Sequence, residues 1–144
     1  MSTNSLVAYM NKDWKVTTSY VHYDGYTTGV GEVLLGNYNT EESAKELAIT
    51  LGYASSLKES VEASHADRAN VAEPVVYENY LDFEEYIMKT SHLEYVYVWS
   101  EFEGKWQVAS WTTSMKMVHN GLCKPDYVFD YDWNGFEDLV PVAT

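Results

Sequence analysis

The sequence predicts an α+β fold with a mostly antiparallel sheet, two or three short helices and a single domain. Three observations carry this. The chain of 144 residues is of ordinary length for one domain. Strand-like runs rich in Val, Thr, Tyr and Trp precede, separate and follow the helical segments. There is no heptad run, low-complexity tract or linker-like stretch to divide the chain.

Taken in order, residues 5–23 read as a hairpin. Leu6 to Met10 is an apolar run, Asn11-Lys12-Asp13 is a turn, and Trp14 to Tyr23 resumes with β-branched and aromatic residues. Asp24-Gly25 breaks the second strand. Gly29 to Tyr38 has approximate helical spacing, weakened by its glycines. A clearer helix follows: Asn39 or Thr40 can cap it, Glu41 and Glu42 suit its N-terminal end, and Ala44, Leu47, Ala48 and Leu51 form an apolar face before Gly52. Residues 53–73 predict a loop with at most one helical turn. Val75-Val76-Tyr77 is a short strand, and Tyr80 to Lys89 a further helix. Leu93 to Ser100 and Trp106 to Trp111, joined at Glu103-Gly104, form a hairpin whose faces are both largely apolar. Pro125 to Leu139 alternates acids with aromatics and predicts an edge strand with a turn at Asn134-Gly135.

Composition narrows function more than motif does. The net charge is −13, from 22 acidic and 9 basic residues. Such a chain repels nucleic acid and anionic membranes, so a basic protein is the favoured partner, with no direct nucleic-acid or membrane binding. The start of the chain lacks signal-peptide character and no apolar run nears ~20 residues, which predicts a cytoplasmic protein. A single cysteine, Cys123, rules out an intramolecular disulfide.

Catalytic signals are thin. His22 and Asp24 form an H-x-D pair on one strand face, repeated at His65 and Asp67, but two ligands do not make a metal site. Gly25, Gly29, Gly31 and Gly36 lack phosphate-loop spacing and a nearby lysine. No G-x-S-x-G elbow is present. The sequence thus favours a non-enzyme without cofactor, metal or catalytic residues. Thirteen of the acids lie in residues 73–144. Glu78, Asp82, Glu84 and Glu85 gather at one predicted helix; Asp126, Asp130, Asp132, Glu137 and Asp138, with Tyr131 and Trp133, crowd the C-terminal segment. Carboxylates interleaved with aromatics suit a cationic groove on a partner, with aromatics supplying affinity and acids steering encounter.

Tyr20-Val21-His22-Tyr23-Asp24-Gly25-Tyr26, then Gly29-Val30-Gly31 and Leu34-Leu35, resembles a Y-x-H-x-D-G-Y…G…L-L pattern of small bacteriophage and mobile-element proteins. The resemblance covers about residues 19–57; Thr27-Thr28 departs from the Pro-containing turn of that pattern. It implies an origin more than an activity. With the charge, it implies an accessory protein that binds and inhibits a host nucleic-acid-handling or defence protein, such as a CRISPR effector, a restriction enzyme or a polymerase, with DNA mimicry as one mode. The alternative is a small-molecule module that binds a nucleotide signal. A homodimer through the Tyr- and Trp-rich hairpin edge is a further expectation.

Overall fold

The computed structural model describes residues 3–90, 93–119, 125–133 and 136–141; for 111–119 and 125–133 it describes backbone and strand pairing alone. Among these residues the order is β1 (Asn4–Met10), β2 (Val16–Val21), a π-helical turn (Thr27–Gly31) running into α1 (Glu32–Asn37), α2 (Glu41–Thr50), β3 (Tyr53–Ala54), α3 (Val61–Ala66), β4 (Val75–Tyr77), α4 (Tyr80–Lys89), β5 (Leu93–Ser100), β6 (Lys105–His119), β7 (Pro125–Trp133) and β8 (Glu137–Asp138). The strands make one mixed sheet in the order β3-β2-β1-β5-β6-β7, with β4 beside β2 and β8 beside β6.

The fold is the expected α+β arrangement, and its pairs are mostly antiparallel. Two pairs are parallel: β1 with β5, and β2 with β3. The β1–β5 pairing joins residues far apart in sequence, so no local pattern announces it. It puts β1 and β5 in the centre of the sheet, buried on both faces, which is why both are nearly continuous apolar runs. Val7, Tyr9, Tyr97 and Trp99 join α1 and α2 in one core, through Leu34, Leu47 and Leu51. Leu6, Ala8, Val96 and Val98 join α4 in the other, through Phe83 and Ile87.

The helices begin where side chains can satisfy their free N–H groups. Thr40 accepts from Ser43 N at 3.2 Å, Ser60 from Ala63 N at 3.0 Å and Asn79 from Asp82 N at 2.9 Å. The Ser60 cap opens α3 inside the stretch expected to be mostly loop, which raises the α-helices to four among the described residues. Gly52 ends the α2 turn at φ +69°, where a Cβ would lie 1.8 Å from the Ala72 carbonyl oxygen. Only glycine fits both the backbone angle and that close approach. No described helix is long and apolar enough to cross a membrane.

Candidate functional site

The C-terminal ends of β1 and β5 lie side by side, so the turns that follow them meet. In the first turn the Asn11 side chain accepts from Asp13 N at 2.9 Å and Lys15 N at 3.0 Å, while Trp14 N donates to Asn11 O at 3.1 Å. These bonds hold Trp14 at φ +65°, an unfavourable backbone for so bulky a residue. Trp14 was expected to begin β2; it sits in the turn instead, 51% exposed. Its ring lies 4.6 Å, centroid to centroid, from Phe102, which the second turn presents 48% exposed.

Glu101 ties the two turns together. One carboxylate oxygen accepts from the Tyr9 hydroxyl, and the other accepts from Lys12 N at 2.8 Å. The Tyr9 hydrogen bond, then the Lys12 amide, hold the Glu101 carboxyl below its usual range. Its contribution is therefore complete above the ordinary glutamate pKa and is lost as pH falls through the depressed value. Glu101→Ala leaves the Tyr9 hydroxyl without its acceptor. It should cost about 1–3 kcal/mol in urea unfolding, with an unchanged denaturant slope.

Beneath the Trp14–Phe102 pair lies a cavity of about 350 Å³. Met10 and Val98 come from the sheet, Tyr80 from the start of α4 and Phe136 from the C-terminal segment; Ser100, Glu103 and Gln107 add polar groups. Residues close to this lining in sequence form salt bridges. Lys15 lies 3.5 Å from Glu78, and Lys105 lies 2.8 Å from Asp138, whose other oxygen accepts from Gln107 Nε2 at 3.4 Å. These pairs are solvent-exposed and add little stability, so their carboxylates can exchange partners cheaply.

The cavity thus brings Tyr80 and Phe136, one from each of two acidic segments separated in sequence, into one lining. The other residues predicted for partner binding spread out. Asp82 is exposed in the first turn of α4 and accepts from Asn79 Nδ2 at 3.2 Å. Glu85 is exposed and paired with Lys89 at 2.5 Å. Glu84 is half-buried beside Tyr80, whose hydroxyl is pushed up to about 12 by burial first and then by that carboxylate. Glu137 is exposed opposite Val108 in the β6–β8 pairing.

Asp126, Asp130, Tyr131, Asp132 and Trp133 all fall on β7. The register separates them. Asp126, Asp130 and Asp132 stand opposite Val118, Ser114 and Thr112, at positions of one ribbon face. Tyr131 and Trp133 stand opposite Thr113 and Trp111, on the other. Residues interleaved in sequence therefore belong to opposite surfaces. The turn expected at Asn134-Gly135, and the residues Cys123 and His92, lie outside the described residues.

His22 and Asp24 do not converge. The His22 Nδ1 is 3.0 Å from the Tyr20 hydroxyl and its ring meets Tyr23 edge-on at 4.6 Å, whereas Asp24 accepts from the Tyr26 hydroxyl at 2.8 Å. Among the described residues no three His, Cys, Asp or Glu side chains are grouped to hold a metal ion. Gly29 packs its backbone where a Cβ would lie 2.2 Å from the Asp24 carbonyl oxygen, so the glycine there serves a tight turn.

Trp14, Phe102 and Glu101 carry the site and were not singled out by sequence. The only local signal was Asn11, whose side chain is suited to organising the turn that holds Trp14. No family model, curated protein or solved structure matches the chain.

Proposed function

We propose that the chain acts by stoichiometric binding to a basic protein that handles nucleic acid, blocking it as phage-type anti-defence proteins do. Trp14 and Phe102 enter an apolar recess of the partner, and the carboxylates around them face its basic groups in place of phosphates. One observation carries this: an exposed aromatic pair, its Trp14 fixed on a tightly hydrogen-bonded turn, over a cavity lined by Glu103 and by Gln107, to which Asp138 is bonded. Rigid aromatic anchors ringed by polar groups are the usual source of binding energy at protein interfaces. The chain's charge of −13 speeds encounter with a cationic surface. A phage-like origin rests on the resemblance over residues 19–57, and a host defence or polymerase target on that origin and the charge.

The test is capture from bacterial lysate by the tagged full chain, at rising salt, followed by affinity measurement with the captured partner. Trp14→Asn keeps a residue that tolerates positive φ while removing the ring. It should weaken binding at least ~30-fold while leaving the melting curve in place. Charge reversal at Glu78 and Asp138 should slow association and flatten its salt dependence. Full binding by a folded Trp14→Asn chain would refute the aromatic anchor.

The small-molecule alternative draws on the cavity volume, which lies at the low end of the range for ligand sites. Thermal stabilisation by a nucleotide, abolished in Phe102→Ala, would favour it over the partner protein.

A further inference from the structure

β6 runs on past the strand that anchors it. Its pairing with β5 ends at Ser110, opposite Tyr95, and β8 covers Gln107 and Val108. From Trp111 to His119 its sheet neighbour among the described residues is β7 alone. This leaves a two-stranded antiparallel ribbon of nine residue pairs. At about 3.4 Å per residue it is roughly 30 Å long. Such a ribbon by itself is marginal in water and needs a cover for one of its faces.

The register gives the two faces opposite chemistry. Trp111 stands opposite Trp133, Met115 opposite Phe129 and Met117 opposite Tyr127, all at positions of one face. That face has no Asp, Glu, Lys or Arg between Trp111 and Met117 or between Tyr127 and Trp133. The other face carries the β7 acids with Lys116.

We propose that the aromatic face is a homodimer interface, in which the ribbons of two copies pack face to face about a two-fold axis. Three arguments select a second copy as the occupant. The first is area. The face holds five aromatic residues, each able to bury roughly 150–250 Å² when fully enclosed. That is enough for the ~800 Å² per partner of a standard interface. The second is charge. Two copies of a chain at −13 can meet on this face without bringing carboxylates together, because the β7 acids stand at positions of the opposite face. The third is supply: a ribbon that needs a cover to be stable finds one in every other copy of the same chain. A face that is its own complement is what an isologous contact requires.

Sedimentation equilibrium of the full chain tests this, with dimers expected at micromolar concentration. Phe129→Asp, at the middle of the face, should weaken self-association at least ~30-fold. Asp130→Asn, its neighbour on the opposite face, should leave it unchanged. Hydrogen exchange supplies the folding control: Phe129→Asp should lose amide protection over residues 111–119 and 125–133 and retain it in β1 and β5. Should Phe129→Asp misfold, Thr113→Lys places a charge at the same face. Salt separates this contact from capture of a basic partner. Screening reduces repulsion between like-charged copies, so self-association should strengthen as salt rises. A chain monomeric at all concentrations, a dimer untouched in both folded variants, or self-association that falls with salt would each overturn the proposal.

Discussion

Raised above about pH 10, the protein should unfold cooperatively, because three core tyrosines resist ionisation. Tyr9, Tyr38 and Tyr97 are all buried. Burial is the largest cause of the upward shift in each; it pushes Tyr38 up to about 12 and the other two higher. Their hydroxyls donate to Glu101, to Lys58 O at 2.7 Å and to Gly25 O at 2.6 Å respectively. A tyrosinate at any of these places would face a bare acceptor. Below the unfolded tyrosine pKa both states hold the proton and the folded state keeps its full advantage. Above it the unfolded chain releases protons that the folded chain retains, so stability falls as pH rises toward the folded values. Each group contributes about 1.4 kcal/mol per pH unit, hence ~4 kcal/mol per unit for three. Against a typical stability of about 5–15 kcal/mol, a chain in the lower half of that range has little left about two units above pH 10, where Tyr38 stops adding to the slope. Circular dichroism should collapse in step with the ultraviolet absorbance of tyrosinate. Gradual ionisation of all thirteen tyrosines with an intact spectrum would contradict this.

Trp106→Ala should be more damaging than Glu101→Ala. The Trp106 side chain is 1% exposed, meets Trp99 edge-on at 5.9 Å and donates Nε1–H to Tyr38 O at 2.9 Å. Truncation costs about 3–5 kcal/mol for the lost packing and the cavity, and it also leaves the Tyr38 carbonyl without that donor. Trp106→Phe restores most of the volume but not the hydrogen bond, and should recover part of the loss. Urea midpoints of the two variants measure the split. A loss below about 1.5 kcal/mol for Trp106→Ala would mean that the site collapses around the smaller residue. Trp14 contrasts with Trp106: the same residue type is buried in β6 and half exposed in the β1–β2 turn.

What the sequence revealed follows the range over which each signal acts. Leu6 to Met10 and Leu93 to Ser100 were legible as strands, and the latter also as largely apolar on both faces, because side chains alternate sides within a strand. Val75–Tyr77 was legible because Pro74 and the acidic residues around it bound a β-branched run. Trp14 was misplaced because an aromatic after a turn normally starts a strand; only the Asn11 side chain and the neighbouring β5 turn decide otherwise. Glu101 was hidden by distance, since its partners Tyr9 and Lys12 lie about ninety residues earlier. The alternation in Pro125 to Trp133 was visible and by itself assigns acids and aromatics to opposite faces; which β6 positions share each face depends on long-range pairing.

The parallel pairing of β1 with β5 also sets a timetable for biosynthesis. The β1–β2 hairpin can close once Val21 has left the ribosome, but the other edge of β1 stays open until Ser100 emerges. At about 5–20 residues per second, that edge waits roughly 4–16 s. For that interval the nascent chain displays an open strand edge that is apolar on both sides, a template for wrong pairing. The yield of folded protein should therefore depend on how fast the intervening codons are read and on whether a chaperone shields the hairpin meanwhile.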